Sequence, residues 1–178
     1  MGSDGNISWL IMEFKDVIYK RRSNRFLSDK PLKEEDLNYI FEIAQRAPVG
    51  MGKYEWIRLV LLEGEALKKV QQEFVNVVRK DVSYGGSALI YILHTGASDA
   101  IDNLDGGAIA EHICLAAAER DIGSVFLWSV TRTKDSEVIN RILQKKDNEK
   151  VIAAVTLGYK SSEEVRDVSH KIEVLKVK

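Results

Sequence analysis

A chain of 178 residues, 45% hydrophobic and 30% charged, has the material for one buried core and suits one domain or one subunit of an assembly. Its charges nearly cancel, for a formal net charge of −1, which excludes an overall field drawing it to nucleic acid or anionic lipid; any anion site has to be local. The single cysteine, Cys114, excludes an internal disulfide and suits a reducing cytoplasm, and no apolar run reaches the length of a membrane span.

Residues 1–10 are expected as a disordered end, since Trp9-Leu10-Ile11-Met12 is too short for a secretory core and Glu13 follows it at once. Phe14, Val17 and Ile18 recur at helical spacing and lead into a basic cluster. After Pro31, the acids Glu34, Glu35 and Asp36 suit a helix start, and Leu37, Ile40, Phe41 and Ala44 give that helix one apolar face. Ala47-Pro48-Val49-Gly50-Met51-Gly52 stops it. A strand is predicted over Ile57–Leu62 and a helix over Glu65–Lys80, with Leu67, Val70, Phe74 and Val78 facing inward.

Gly85-Gly86 breaks the chain before a buried strand, Ala88–Leu93. A polar loop is expected over 96–105, then a small-residue helix from Gly106 to Arg120, its alanines allowing a close approach by a core element or a second copy. Gly123 restarts the chain into a strand over Ser124–Val130; a helix over Lys134–Leu143 and a strand over Val151–Leu157, ended by Gly158, complete the pattern. Irregular alternation with four or so strands predicts an α+β class with a sandwiched sheet in a single domain spanning 1–178. The last residues, 163–178, carry Ile172, Val174, Leu175 and Val177 with no partner nearby in sequence, and are expected to lie as an arm on a second copy.

Common catalytic signatures are missing. There is no phosphate loop, no third glycine after Gly50-x-Gly52, no serine elbow, and no ligand spacing among His94, His112 and His170, so no metal site is expected. Cys114 lies among apolar residues and reads as a buried structural thiol. Lys20, Arg21, Arg22 and Arg25 remain, four cations within six residues with Ser23 and Asn24 between them. Two readings stand on local composition: a solvated helix end, where cations suit the dipole, and an anion site, where arginine forks and a serine hydroxyl take a phosphate. A nucleic-acid patch has no aromatic platform to support it.

Four segments in order resemble the FMN-dependent nitroreductase family. They are Arg21-Arg22-Ser23-Asn24-Arg25-Phe26, Ala47 to Trp56, the small-residue helix running into Gly123-Ser124, and Val151 to Tyr159 ending in Leu-Gly-Tyr. The resemblance implies a nitroreductase-like fold, with a central mixed sheet of about four or five strands between helices and a C-terminal arm exchanged in a homodimer. FMN would sit at the interface, both subunits contributing. By matching motifs, Arg21 would pair with the FMN phosphate, Ser23 would meet the ribityl or pyrimidine side, and Arg25 would face the flavin N1–C2=O edge, Arg22 being the member of the cluster expected to point elsewhere. The main chain of Pro48, Val49 and Gly50 would run along the ring, and a backbone N–H near Ser124 to Ser129 would approach flavin N5. Lys171 would close the phosphate side where the family usually shows arginine.

Three departures accompany the match. A backbone-only residue at Gly52 stands where the family has an asparagine, Tyr54-Glu55 replaces Gln-Pro, and Trp128 occupies a position that many members give to glycine. Trp128 can stack on a substrate or serve as a dimer-core aromatic. The function implied is hydride transfer by a ping-pong mechanism from NADH or NADPH to a nitroaromatic, quinone or similar small acceptor. The alternative is an FMN-binding storage or sensing module with little turnover.

Overall fold

The computed structural model describes residues 13–96, 99–161 and 171–177. In chain order its regular elements are α1 (Phe14–Lys20), α2 (Glu34–Ala44), β1 (Ile57–Glu63), α3 (Gly64–Val78), β2 (Ala88–His94), α4 (Asp99–Glu119), β3 (Gly123–Leu127), α5 (Glu137–Ile142) and β4 (Lys150–Gly158), with short 3-10 turns at Gly50–Gly52, Tyr54–Trp56 and Ser129–Thr133. The expectations for residues 1–10 fall outside the described residues, as does the arm from 162 to 170; residues 171–177 have no regular structure and are exposed.

The sheet has the order β1-β2-β4-β3, and every strand pairing is antiparallel. Among the described residues the expected mixed sheet survives only in one parallel bridge, Ser23 to Ser124, because β2 and β3, which run the same way, are separated by β4, antiparallel to both. All seven residues of β2 are buried, and their alternation supplies both faces of the sheet. Ala88, Ile90 and Ile92 pack with Ile40 and Ala44 of α2 and Ile109, Ala110, Ile113 and Ala117 of α4. Leu89, Tyr91 and Leu93 pack with Leu67, Val70 and Phe74 of α3 and Ile139 of α5. Burying such a side chain contributes roughly 1.5–3 kcal/mol, so this strand is the base on which both helical layers rest. A bulge opposite Ile92 and Leu93 shifts the phase of β4, which turns Ile152 toward the α2–α4 layer while Val151 faces the other.

Several boundaries differ from the sequence reading, α5 starting at Glu137 and not Lys134 among them, and two have a clear cause. Helix α4 begins at Asp99, not Gly106. Its first turns look like a polar loop because Asp102 and Asp105 point inward, and Gly106 is retained where an added Cβ would stand 2.9 Å from Ile152. Strand β3 ends at Leu127, three residues early. There the Thr131 and Thr133 hydroxyls donate to the Trp128 and Val130 carbonyls at 2.9 and 2.7 Å, so local turn bonds replace the ladder.

One polar tie holds the edge strand. Arg58 of β1 donates to both carboxylate oxygens of buried Glu149 at 2.7 and 2.6 Å, and to the carbonyls of Leu143 and Gln144 that close α5. These bonds hold the Glu149 carboxyl below its ordinary value, with the Lys146 backbone N–H adding and burial opposing. Glu149 therefore stabilises the fold fully above its ordinary pKa of 4.5, and the contribution is lost as pH falls through the lower folded value. Because Arg58 is about one-third exposed, Glu149→Gln is expected to cost about 1–3 kcal/mol at neutral pH. Denaturant titrations should show that penalty shrinking as both proteins are taken into acid; a constant difference down to the acid unfolding limit would contradict the assignment.

Candidate cofactor site

The segment from Arg21 to Ser28 forms no helix or strand of its own. Backbone bonds lay it across one end of the sheet: Asn24 N–H donates to Ser124 C=O at 3.0 Å, Leu27 N–H to Tyr84 C=O at 3.3 Å, and Ser28 N–H to Tyr159 C=O at 2.8 Å. Ser161 N–H returns a bond to Phe26 C=O at 3.1 Å. Between these bonds, the buried Leu27 side chain enters a slot walled by three glycines, one just before β2, one that begins β3 and one that ends β4. A Cβ at Gly123 would stand 2.6 Å from Leu27 Cδ2, and one at Gly158 would stand 3.1 Å from Leu27 Cβ and 3.0 Å from Ser28 C=O. Gly86 closes the third wall, 3.3 Å from Leu27 Cδ1 by the same measure. The glycines read from sequence as strand breaks are therefore also the seat of the basic segment.

That seat fixes the cations. Arg21 Nε lies 3.3 Å from Glu111 of α4, and Ser23 bridges Ser124 beside it. Arg25 is exposed, its guanidinium carbon 5.9 Å above the Tyr84 ring. Lys20 and Lys160 share Asp121, at 3.1 and 2.6 Å, and their bonds, with that to Lys160 the larger, hold the Asp121 carboxyl below its ordinary value. Lys160 was missed in the sequence, although it directly follows the Leu-Gly-Tyr segment. Lys171, chosen instead, is exposed and has no described contact with the cluster. Arg22 is half-buried, and no described ion pair holds it. Beneath Ser124, Cys114 is buried, and that burial pushes its thiol up to about 11, as befits the structural thiol expected.

The second group of expected residues lies further along α4. Gly50 N–H donates to Asp105 at 2.8 Å, and Met51 and Gly52 both take positive φ, at 55° and 66°, so the Pro48–Gly52 loop turns tightly over the helix. Val49 lines an apolar hollow of about 640 Å³ with Phe41, Tyr54, Ile57 and Leu59. Trp128 follows β3, is 61% exposed, and borders a second hollow of about 560 Å³ with Lys134, Lys145 and Asp102; Ser129 beside it opens the 3-10 turn. The structure thus gathers Arg21, Ser23 and Arg25 at one end of the sheet and seats Gly50 on the first half of α4, with Trp128 exposed beyond β3. The histidine expectation changes most: His94, read as scattered, is wholly buried between Asp102 and Asp105. Among the described residues no metal-binding group of histidine, cysteine and acidic side chains occurs, and no helix is long and apolar enough to cross a membrane.

The fold is similar to that of solved nitroreductases. A nitroreductase with bound FMN from Bacteroides fragilis superposes with a TM-score of 0.80 at 22% identity, over 94% of this chain and 100% of that one. One with bound FMN from Desulfitobacterium hafniense gives 0.82 at 19%, over the same shares. In sequence, residues 18–84 match the model of the nitroreductase family, the stretch that holds the arginine segment and the Pro48 loop. A protein of Archaeoglobus fulgidus named "Putative NADH dehydrogenase/NAD(P)H nitroreductase" is 29% identical over 150 residues, covering 83% of this chain and 85% of its own. The chain thus shares the fold of these nitroreductases, and its residues 18–84 are similar to the nitroreductase family.

The glycine slot makes a direct prediction. In Gly158→Ala the new methyl meets Ser28 C=O and Gly86 Cα, backbone atoms that cannot rotate away. The variant is expected to lose about 1–3 kcal/mol and to melt several degrees lower. A melting temperature equal to wild type would show that the seat is looser than its geometry.

Proposed function

We propose that this chain is an FMN-dependent oxidoreductase that passes hydride from NADH or NADPH to a nitroaromatic, quinone or similar small acceptor, the two substrates using the site in turn. The observation that carries this reading is the arginine segment held by backbone bonds at the sheet end, in a fold shared with solved nitroreductases that carry FMN. The donor set suits a flavin phosphate: a half-buried arginine, a serine hydroxyl and neighbouring lysines, their charge offset by Glu111 and Asp121.

When bound, FMN supplies the hydride chemistry, and the chain supplies position and field. Arg21 takes the phosphate, with Lys160 in the supporting role first assigned to Lys171. Arg25 stands at the N1–C2=O edge, where a fixed cation favours the reduced, anionic form and so raises the potential. Ser23 bonds the ribityl or pyrimidine side. Pro48, Val49 and Gly50 lie along the ring through their backbone, and Gly52, without a side chain, leaves edge recognition to the main chain. Trp128 and Ser129 stand on the acceptor side.

A second copy completes the site in this proposal. Phe14 and Tyr19 of α1 and Leu104 of α4 are 73%, 67% and 74% exposed on the single chain, apolar side chains that association would cover. Residues 171–177, with Ile172, Val174, Leu175 and Val177 exposed, are the end of the arm that would lie on the partner. We place the protein in the cytoplasm, in keeping with its free thiol.

Flavin-fluorescence quenching tests the cofactor. Wild type is expected to bind FMN, and Arg21→Ala combined with Arg25→Ala to weaken binding at least about 100-fold, since each charge-assisted contact contributes about 1.5–3 kcal/mol. A wild type that quenches no FMN, or a double variant that binds it equally, would sink the reading. Tight binding with no reduction of the flavin by either nicotinamide would select the storage or sensing alternative.

A further inference from the structure

His94 ends β2 with its whole side chain buried, an unusual place for an imidazole that touches neither the arginine segment nor Trp128. Asp102 and Asp105, three residues apart on α4, reach it from one side. Nε2 lies 3.1 Å from Asp105 Oδ2, within hydrogen-bond geometry, and Nδ1 lies 3.2 Å from Asp102 Oδ1, off the line of a bond and so an electrostatic contact. The other oxygen of Asp102 is 3.3 Å from Lys150 Nζ, at the start of β4. The other oxygen of Asp105 accepts Gly50 N–H at 2.8 Å.

The same histidine meets the far end of the loop. Trp56 sets its ring edge-on to the imidazole, centroids 5.9 Å apart at 61°, and its carbonyl accepts Thr95 N–H at 2.9 Å. Gly50 is pressed closely on α4, where an added Cβ would fall 2.7 Å from Ile101 Cγ2. The stretch 50–56 is therefore held at both ends by groups gathered round one buried ring.

We propose that His94 and Asp105 are positioning residues for the Pro48–Gly52 loop: with its proton on Nε2, His94 locks the Asp105 carboxylate so that its free oxygen fixes Gly50 N–H, and thereby sets where the loop backbone stands against the flavin ring. An ionised carboxylate only accepts, so the His94–Asp105 bond requires that proton. An apolar trio of equal volume would pack at least as stably. It would not hold one backbone N–H in one direction, and a polar unit does. The placement against the flavin rests on the flavin reading above; the anchoring of Gly50 does not.

The test joins amide exchange at Gly50 in the FMN-free protein to FMN affinity. Asp105→Ala removes the acceptor; Asp105→Asn keeps an oxygen for Gly50 and offers its amide to the other neutral tautomer of His94. Relative to wild type, Asp105→Ala is expected to speed Gly50 exchange and weaken FMN binding, each about ten-fold or more, the loss of one hydrogen bond to a charged group. Asp105→Asn should bring both back to within about three-fold. Leu67→Ala, a truncation in the opposite helical layer, should lower the melting temperature while leaving both readouts at wild-type values. Equal Gly50 exchange in wild type and Asp105→Ala overturns the anchoring, as does a Leu67→Ala protein that matches Asp105→Ala. If wild type and Asp105→Ala bind FMN alike, the inference falls and the flavin reading stands; if wild type binds none, the flavin reading falls and Gly50 exchange alone decides the anchoring.

Discussion

The position of the arginine segment depends on Leu27. Residues 21–28 have no helix to stiffen them and no full ladder to hold them; what fixes them is an aliphatic side chain entering a slot whose walls are glycine backbone at the ends of β2, β3 and β4. A loop held only by its own charges would let the arginines search many arrangements, and ordering each would cost roughly 1–2 kcal/mol of rotamer freedom on ligand binding. Here the backbone is set in advance by Asn24, Leu27 and Ser28, so less of that cost falls on the ligand. The slot in turn depends on the sheet, because Gly123 and Gly158 face each other only while β3 and β4 pair in register.

Charge is arranged in the same local way. The chain is almost neutral overall, yet Lys20, Arg21, Arg25 and Lys160 converge on one end of the sheet with Asp121 and Glu111 among them. The two acids reduce repulsion among the cations, and their pairs are exposed enough to yield to a more highly charged anion. A compact basic cluster on a nearly neutral chain suits the phosphate-bearing cofactor proposed above.

Periodicity made most of the scaffold legible. The apolar stripe of α2, the inward set Leu67, Val70 and Phe74 of α3, and the unbroken run of β2 each have one physical reading, and each holds in the fold. At the start of α4, polarity does not mean exposure. Asp102 and Asp105 look like loop residues until His94 is known to lie beneath them, and nothing in local sequence pairs residue 94 with residue 105. Glycines 86, 123 and 158 read as punctuation because their second role, making room for Leu27, is a long-range packing fact. In the candidate site, the arginine motif and the Pro48–Gly52 loop were legible as motifs. That Lys160 and not Lys171 joins the cluster depends on the left-handed turn at Asp121, which presents that carboxylate to both Lys20 and Lys160.

The central claim is that this basic, glycine-seated sheet end makes the chain a working flavin enzyme. Anaerobic addition of NADH, and separately NADPH, to the FMN-loaded protein tests it most directly through the visible absorbance of the flavin. The account predicts that at least one nicotinamide bleaches those bands with one equivalent per flavin, and that a quinone or nitroaromatic added afterwards restores them. Flavin bands that neither nicotinamide changes would contradict it.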